Sequence, residues 1–271
     1  LLLLCLILWK NKTMQVILVQ APLIWENPKL NRDYFEKIIK SISEKVDLIV
    51  LPEMFTTGFT MNPSAVSETM QGETVSWLQS LAKAKNCAIT GSVVIEENGN
   101  FYNRMLFVFP SGEIQHYDKR HSFTLAGEEK VYTAGTQKLI VEYLGWKICP
   151  LVCYDLRFPV FSRNVEQYDL LIYVASWPKV RTTAWDALLK ARAIENMSYV
   201  IGVNRIGNDD NGHTYMGHSH VVDCLGKYVV EPQENEAIFM TTLDKSKLIE
   251  IRKKFAFLND KDDFDTILKS V

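Results

Sequence analysis

Apolar positions along the chain fall into two alternating periods. MQVILVQ (Met14–Gln20) is an apolar run of strand length, whereas Pro28–Lys45 opens on proline and repeats Phe35, Ile38, Ile39 and Ile42 at helical spacing. DLIVLPE (Asp47–Glu53) predicts a buried strand that ends in a carboxylate, and Glu73–Lys85 a second helix with Val75, Leu78, Leu81 and Ala82 inward. CAITGSVVIEE and FYNRMLFVFP flank Asn98-Gly99-Asn100, the composition of a tight hairpin turn. HYDKRHSFTLAGEEKVYTAG has no clean period and predicts an irregular connection. The second half repeats the plan: WKICPLVC, DLLIYVAS and YVIGVN read as strands, with a helix over Thr182–Met197 between the last two. HSHVVD, KYVVEP and AIFMTTL follow as strands and Lys245–Phe255 as a closing helix. Such alternation predicts an α/β protein with largely buried sheets, and no linker or low-complexity stretch divides it.

The N-terminus departs from this pattern. LLLLCLILW (Leu1–Trp9) is apolar throughout but far short of the roughly 20 residues of a membrane-spanning helix. It also lacks the basic flank and small-residue cleavage site of a signal peptide. We expect residues 1–13 to be an extension outside the natural fold, and 14–271 to be one domain. The rival expectation is an extra strand or arm packed on a partner subunit.

Composition narrows the function classes. The 271 residues carry 30 Lys and Arg against 32 Asp and Glu, for a net charge of −2, which gives no electrostatic footprint for nucleic acid. Five cysteines, an odd number with no CxxC pair, do not suggest a secreted disulfide framework or a zinc site. Reduced thiols and a cytoplasmic location are expected.

Three ionisable residues stand at strand ends or beside loops, where α/β folds place reactive groups: Glu53 after DLIVLP, Lys119 in YDKRH and Cys153 after ICPLV. Each has a plain alternative: a solvated cap, a surface charge and a small buried hydrophobe respectively. Their contexts, LPEMFTTGF, YDKRH and LVCYDLRFP, occur in that order and closely resemble the three signature blocks of the nitrilase, or carbon–nitrogen hydrolase, superfamily. ASWP, ARAIEN and VNRIG downstream agree, and the resemblance runs from about Met14 to about Phe257. The combination with CYDLRFPVFSRN looks most like the bacterial omega-amidase branch.

The resemblance implies a four-layer α–β–β–α sandwich and a cofactor-free, metal-free amidase. Cys153 would be the nucleophile, Glu53 the base, and Lys119, with the backbone N–H of Tyr154, the oxyanion support. The chemistry suits the residue types, because a thiolate splits amide hydrolysis into acylation and deacylation, and a carboxylate shuttles the proton. A further family glutamate falls at Glu128 rather than Glu129. An omega-amidase substrate such as 2-oxoglutaramate carries a carboxylate, so a second cation is expected in the pocket. Arg181 is the first candidate, while Arg157 is expected to anchor the nucleophile turn through Asp155, and Arg192 to pair within its helix. Phe59, Tyr154 and Trp177 are expected to wall the pocket. His116 and His121 read as loop residues, His213, His218 and His220 as strand-face residues, and Cys149 as core.

The expected partners are a small-molecule amide and a second copy of the chain, with no nucleic acid and no membrane. The family commonly forms homodimers or higher homo-oligomers through helices. The helix over Thr182–Met197, with Trp185, Leu188 and Leu189, and the run after Cys153 are placed at that interface. Competing readings are a deaminated-glutathione or N-carbamoyl-amine amidase, an idle scaffold subunit, and a Cys–His hydrolase on another fold.

Overall fold

A computed structural model describes residues 13–261. The apolar run Leu1–Trp9, and with it the expected extension short of Thr13, lies outside the described residues. Two six-stranded sheets face each other. The first has the order β14-β1-β2-β3-β4-β5, built from β1 (Thr13–Gln20), β2 (Leu48–Val50), β3 (Ala88–Glu97), β4 (Asn100–Val108), β5 (Ile114–Asp118) and β14 (Ala237–Asp244). In the second the order is β13-β12-β9-β8-β7-β6, from β6 (Val141–Tyr143), β7 (Trp146–Val152), β8 (Leu170–Ala175), β9 (Tyr199–Asn204), β12 (His220–Val222) and β13 (Tyr228–Val230). A small hairpin, β10 (Ile206–Asn208) with β11 (Thr214–Met216), stands apart.

Each sheet has three parallel central strands, β1-β2-β3 and β7-β8-β9, with antiparallel strands outside them. The pleat sorts the side chains of these strands into layers. Met14, Val16 and Leu18 of β1 enter the core between the sheets with Met105, Phe107, Val152 and Val203. Ile17 and Val19 face the other way, against Phe35, Ile39, Leu78 and Leu81 of helices α1 (Pro28–Ser41) and α2 (Glu73–Lys85). Helix α3 (Thr182–Asn196) covers the second sheet. Gly202 of β9 permits this, since a Cβ there would lie 2.4 Å from Leu189 Cδ1 and 2.7 Å from Trp185 Cζ2. Helix α4 (Lys245–Phe255) follows β14, and the Asp244 carboxylate caps it by accepting from the Ser246 and Lys247 N–H groups. The layers run α–β–β–α, as the resemblance implied.

Several local expectations need adjusting. Helix α1 stops at Ser41 rather than Lys45, because Ile42 turns extended and bonds back to Ile39 O. The stretch read as wholly irregular begins with strand β5, whose residues pair with β4 from Val108 to Arg104. Strands β6, β10 and β11 are too short, at three residues each, to show a period. The Asn98-Gly99 turn is as expected, with both residues left-handed. The interface expectation is corrected at Trp185 and Leu189, which are fully buried against their own sheet. The large apolar side chains that α3 and the run after Cys153 leave exposed are Ile194, Val160 and Val165.

Candidate functional site

The loops that leave the C-terminal ends of the central strands converge on one point. Cys153 follows β7 directly, Ser176 follows β8, Glu53 lies just past β2, and Lys119 is the first residue beyond β5. Cys153 is left-handed at φ 47°, as is Met54 beside Glu53 at φ 43°. Non-glycine residues in this region cost about 1–3 kcal/mol, and such strain concentrates at functional sites.

A buried carboxylate holds the Cys153 turn in shape. Asp155 Oδ2 accepts from Tyr117 Oη at 2.8 Å and from the Val152 N–H at 3.0 Å. Its Oδ1 accepts from the His121 N–H at 3.0 Å and contacts His121 Nδ1 at 2.8 Å. From the far side, Arg192 donates to Leu156 O at 2.6 Å while pairing with Glu195 at 3.0 Å, the intrahelical pair expected of it.

Glu53 is fully buried, and its carboxylate takes three hydrogen bonds. Oε1 accepts from Asn103 Nδ2 at 2.8 Å and Lys119 Nζ at 3.0 Å; Oε2 accepts from the Ser176 N–H at 2.7 Å. Its charge also acts on the Cys153 thiol, which sits close enough for the carboxylate to raise the thiol further. Lys119 Nζ lies 2.9 Å from both Glu128 oxygens and 5.0 Å from the centre of the Phe59 ring. Glu128 is buried and takes the Phe123 N–H at 2.6 Å, while Glu129 is exposed. Glu53, Lys119, Glu128 and Cys153 are thus brought together, and neither His116 nor His121 has a hydrogen bond to the thiol among the described residues.

The electrostatics follow from burial and charge. Burial pushes the Cys153 thiol well above its ordinary range, and the Glu53 carboxylate adds to the effect against the pull of Lys119. Burial opposes the charge on Lys119, yet Glu128 and Glu53 outweigh it and hold the ammonium above its usual range. Burial likewise raises the Glu128 carboxyl, with Lys119 opposing and Glu53 reinforcing. The resting site therefore holds a neutral thiol beside a charged lysine, ready for proton transfer to accompany attack.

Cys153 opens into a cavity of about 540 Å³. Phe59, Tyr154, Trp177 and Arg181 all line it, as expected. Arg157 departs from expectation. Its guanidinium lies 5.1 Å from the Trp177 ring and lines the cavity, while Asp155 is occupied by Tyr117, Val152 and His121. Arg181 lies 5.1 Å from the Phe123 ring. Neither arginine has a carboxylate within salt-bridge distance among the described residues. His213 also lines the cavity, whereas His218 and His220 lie away from it, near Asp186. Among the described residues no group of His, Cys, Asp and Glu has the geometry to hold a metal ion. Cys149 is buried in the hydrophobic core. Asn103 and Ser176 were missed in the sequence, and Asp155 was named there only as a partner for Arg157. Asn103 alone left a signal there, a polar residue on the strand face that carries Met105 and Phe107.

The carbon-nitrogen hydrolase family profile matches residues 15–253, and this chain belongs to that family. It is 44% identical over 253 residues to omega-amidase YafV of Yersinia enterocolitica, covering 93% of this chain and 98% of that protein. Identity to 2-oxoglutaramate amidase of Bacillus subtilis is 33% over 248 residues, covering 89% and 95%. Among solved structures, XC1258 of Xanthomonas campestris, a CN-hydrolase superfamily protein with an arsenic adduct in its active site, superposes with a TM-score of 0.91. It shares 43% identity and is covered to 98% by 93% of this chain. Nit3 of Saccharomyces cerevisiae, at 24% identity and a TM-score of 0.79 over 90% of this chain and 94% of its own, shares the fold. The protein is a hydrolase acting on carbon–nitrogen bonds other than peptide bonds, through the family's cysteine chemistry.

Proposed function

We propose that this enzyme is an omega-amidase, releasing ammonia from the terminal amide of a 2-oxo dicarboxylic acid monoamide such as 2-oxoglutaramate. The observation that carries the substrate reading is the pair of guanidiniums, Arg157 and Arg181. Both enter the Cys153 cavity without a carboxylate partner among the described residues. Each lies against an aromatic ring, and planar guanidinium donors suit a carboxylate. Arg181 takes the carboxylate in this reading, and Phe59, Tyr154 and Trp177 enclose the carbon chain. The names of the relatives at 44% and 33% identity support the same class.

In the mechanism, Glu53 takes the proton of Cys153 as Sγ attacks the amide carbon. The oxyanion forms against the Lys119 ammonium and the Tyr154 N–H. Glu53 returns the proton to nitrogen as the C–N bond breaks, ammonia leaves, and a thioester remains on Cys153. A water, deprotonated by Glu53, then attacks the thioester; the acid departs and the thiol is restored. Glu128 keeps Lys119 charged and in place. The enzyme works in the cytoplasm as a homodimer in this reading, supported by four buried free thiols among the described residues and the exposed Val160, Val165 and Ile194.

The test is ammonia release from 2-oxoglutaramate, glutamine, N-carbamoylputrescine and a nitrile, by wild type and Cys153→Ala. Turnover of the 2-oxo amide that is lost in the variant is expected. Turnover of another substrate alone would overturn the omega-amidase reading and keep the cysteine mechanism.

A further inference from the structure

We propose that Asn103 is a positioning residue that sets the angle at which Glu53 meets the Cys153 thiol and keeps Glu53 and Glu128 on separate sides of Lys119. The inference rests on the roles just given to Glu53, Lys119 and Cys153. Three bonds converge on this one residue of β4. Its Nδ2 lies 2.8 Å from Glu53 Oε1 and 3.4 Å from Glu128 Oε1, and its backbone oxygen accepts the Lys119 N–H at 3.0 Å. Asn103 faces Val94 of β3, and its neighbour Arg104 pairs with Asp118, the last residue of β5. Its carbonyl therefore carries the ladder one step past the strand end and fixes where Lys119 leaves the sheet.

The direction of the amide follows from its neighbours. Two carboxylate oxygens face the same end of the side chain, so that end must be the NH2 group. A carbonyl there would stand against both negative charges. With Asn103 and Lys119 on Oε1 and the Ser176 N–H on Oε2, three of the roughly four acceptor sites of Glu53 are filled, which leaves one on Oε2 open to the thiol proton. Removing the Asn103 donor frees the carboxylate to rotate toward Lys119 and away from sulfur.

Stability alone does not account for this asparagine. Asn103 is buried, and its Oδ1 has no hydrogen-bond partner among the described residues. An unsatisfied buried acceptor costs about 1–3 kcal/mol, a cost this residue carries while its NH2 group donates to both carboxylates. What the residue contributes is the NH2 group that it turns toward both carboxylates.

The test compares Asn103→Leu and Asn103→Asp with wild type in the whole chain, by kcat and KM for 2-oxoglutaramate, by thermal midpoint, and by the rate of Cys153 alkylation with iodoacetamide. Asn103→Leu should remain folded, lower kcat about 100-fold with KM within about threefold, and slow alkylation about tenfold. Asn103→Asp adds a carboxyl group among Glu53, Glu128, Lys119, the Cys153 thiol and Tyr132. It should be poorly active near pH 7 and regain activity as the pH falls, because the protonated carboxyl again donates to Glu53. Should the leucine variant fail to fold, this acid-shifted profile decides alone. A folded leucine variant with kcat within threefold of wild type, a rise in KM alone, or an aspartate variant with the wild-type pH profile would each overturn the proposal. Alkylation needs no amide, so slowed alkylation in an enzyme inactive on 2-oxoglutaramate supports Asn103 while rejecting the substrate reading.

Discussion

Asp155→Asn should loosen the nucleophile turn by about 2–4 kcal/mol while changing little in volume. Four donor contacts meet on the two Asp155 oxygens: Tyr117 Oη and Val152 N–H on Oδ2, His121 N–H and Nδ1 on Oδ1. An asparagine keeps only one acceptor. With its NH2 group in the Oδ2 position the Val152 N–H loses its partner, and Tyr117, whose oxygen already accepts from the Arg120 N–H at 2.9 Å, must redirect its proton. With the NH2 group in the Oδ1 position the His121 N–H is stranded instead. Either orientation leaves one buried backbone donor unpaired, at about 1–3 kcal/mol, and exchanges charge-assisted bonds for neutral ones. Val152 and Cys153 are consecutive, so the same change moves Sγ relative to Glu53. Urea unfolding measures the first effect, and iodoacetamide alkylation of Cys153 in the folded variant the second. A variant within about 0.5 kcal/mol of wild type, alkylated at the wild-type rate, would refute the account of the turn.

Arg181→Met should raise KM for 2-oxoglutaramate about 10- to 100-fold, the loss of one charged hydrogen-bonding pair, and leave KM for an uncharged amide unchanged. Gly202→Ala should cost about 1–3 kcal/mol in a urea titration, because the added methyl meets Leu189 and Trp185 and lifts α3 off β9. Burial holds the His220 imidazole down to about 4, below its ordinary 6.5, so between those values the unfolded chain binds the extra proton. Stability should therefore fall as the pH drops from about 6.5 to about 4, by up to about 3 kcal/mol from this group, and His220→Asn should flatten that part of the unfolding profile.

Long elements were legible because their periods are long. Helix α2 and helix α4 run over the residues that their spacing marks, and the Asn98-Gly99 turn joins β3 to β4 where its composition placed it. The three-residue strands β6, β10 and β11 carry barely more than one two-residue repeat, and tertiary pairing decides that they are strands. At α3 the apolar stripe of Trp185 and Leu189 was visible, but whether it faced a partner or its own sheet depended on Gly202, where the absent Cβ lets the helix approach.

The site divides along the same line. Residues in contiguous blocks, Glu53, Lys119 and Cys153, could be picked out because their neighbours in sequence carry the resemblance. What orients them comes from elsewhere in the chain: Asn103 is 50 positions from Glu53, Ser176 is 123 positions from it, and Tyr117 is 38 from Asp155. The first of those bonds needs the first sheet assembled, and the other two exist only once both sheets have closed on each other. Arg157 shows the consequence for specificity. Its place four residues after Cys153 suggested a structural anchor, yet Tyr117, Val152 and His121 already satisfy Asp155. The guanidinium is thereby released to lie over Trp177 in the cavity. A cation freed in this way, with a second at Arg181 on the same cavity, offers a substrate carboxylate two guanidiniums that no acidic side chain among the described residues takes, while Glu26 and Asp209 also line the cavity; the wild-type substrate panel would read the balance directly as preference for 2-oxoglutaramate over N-carbamoylputrescine.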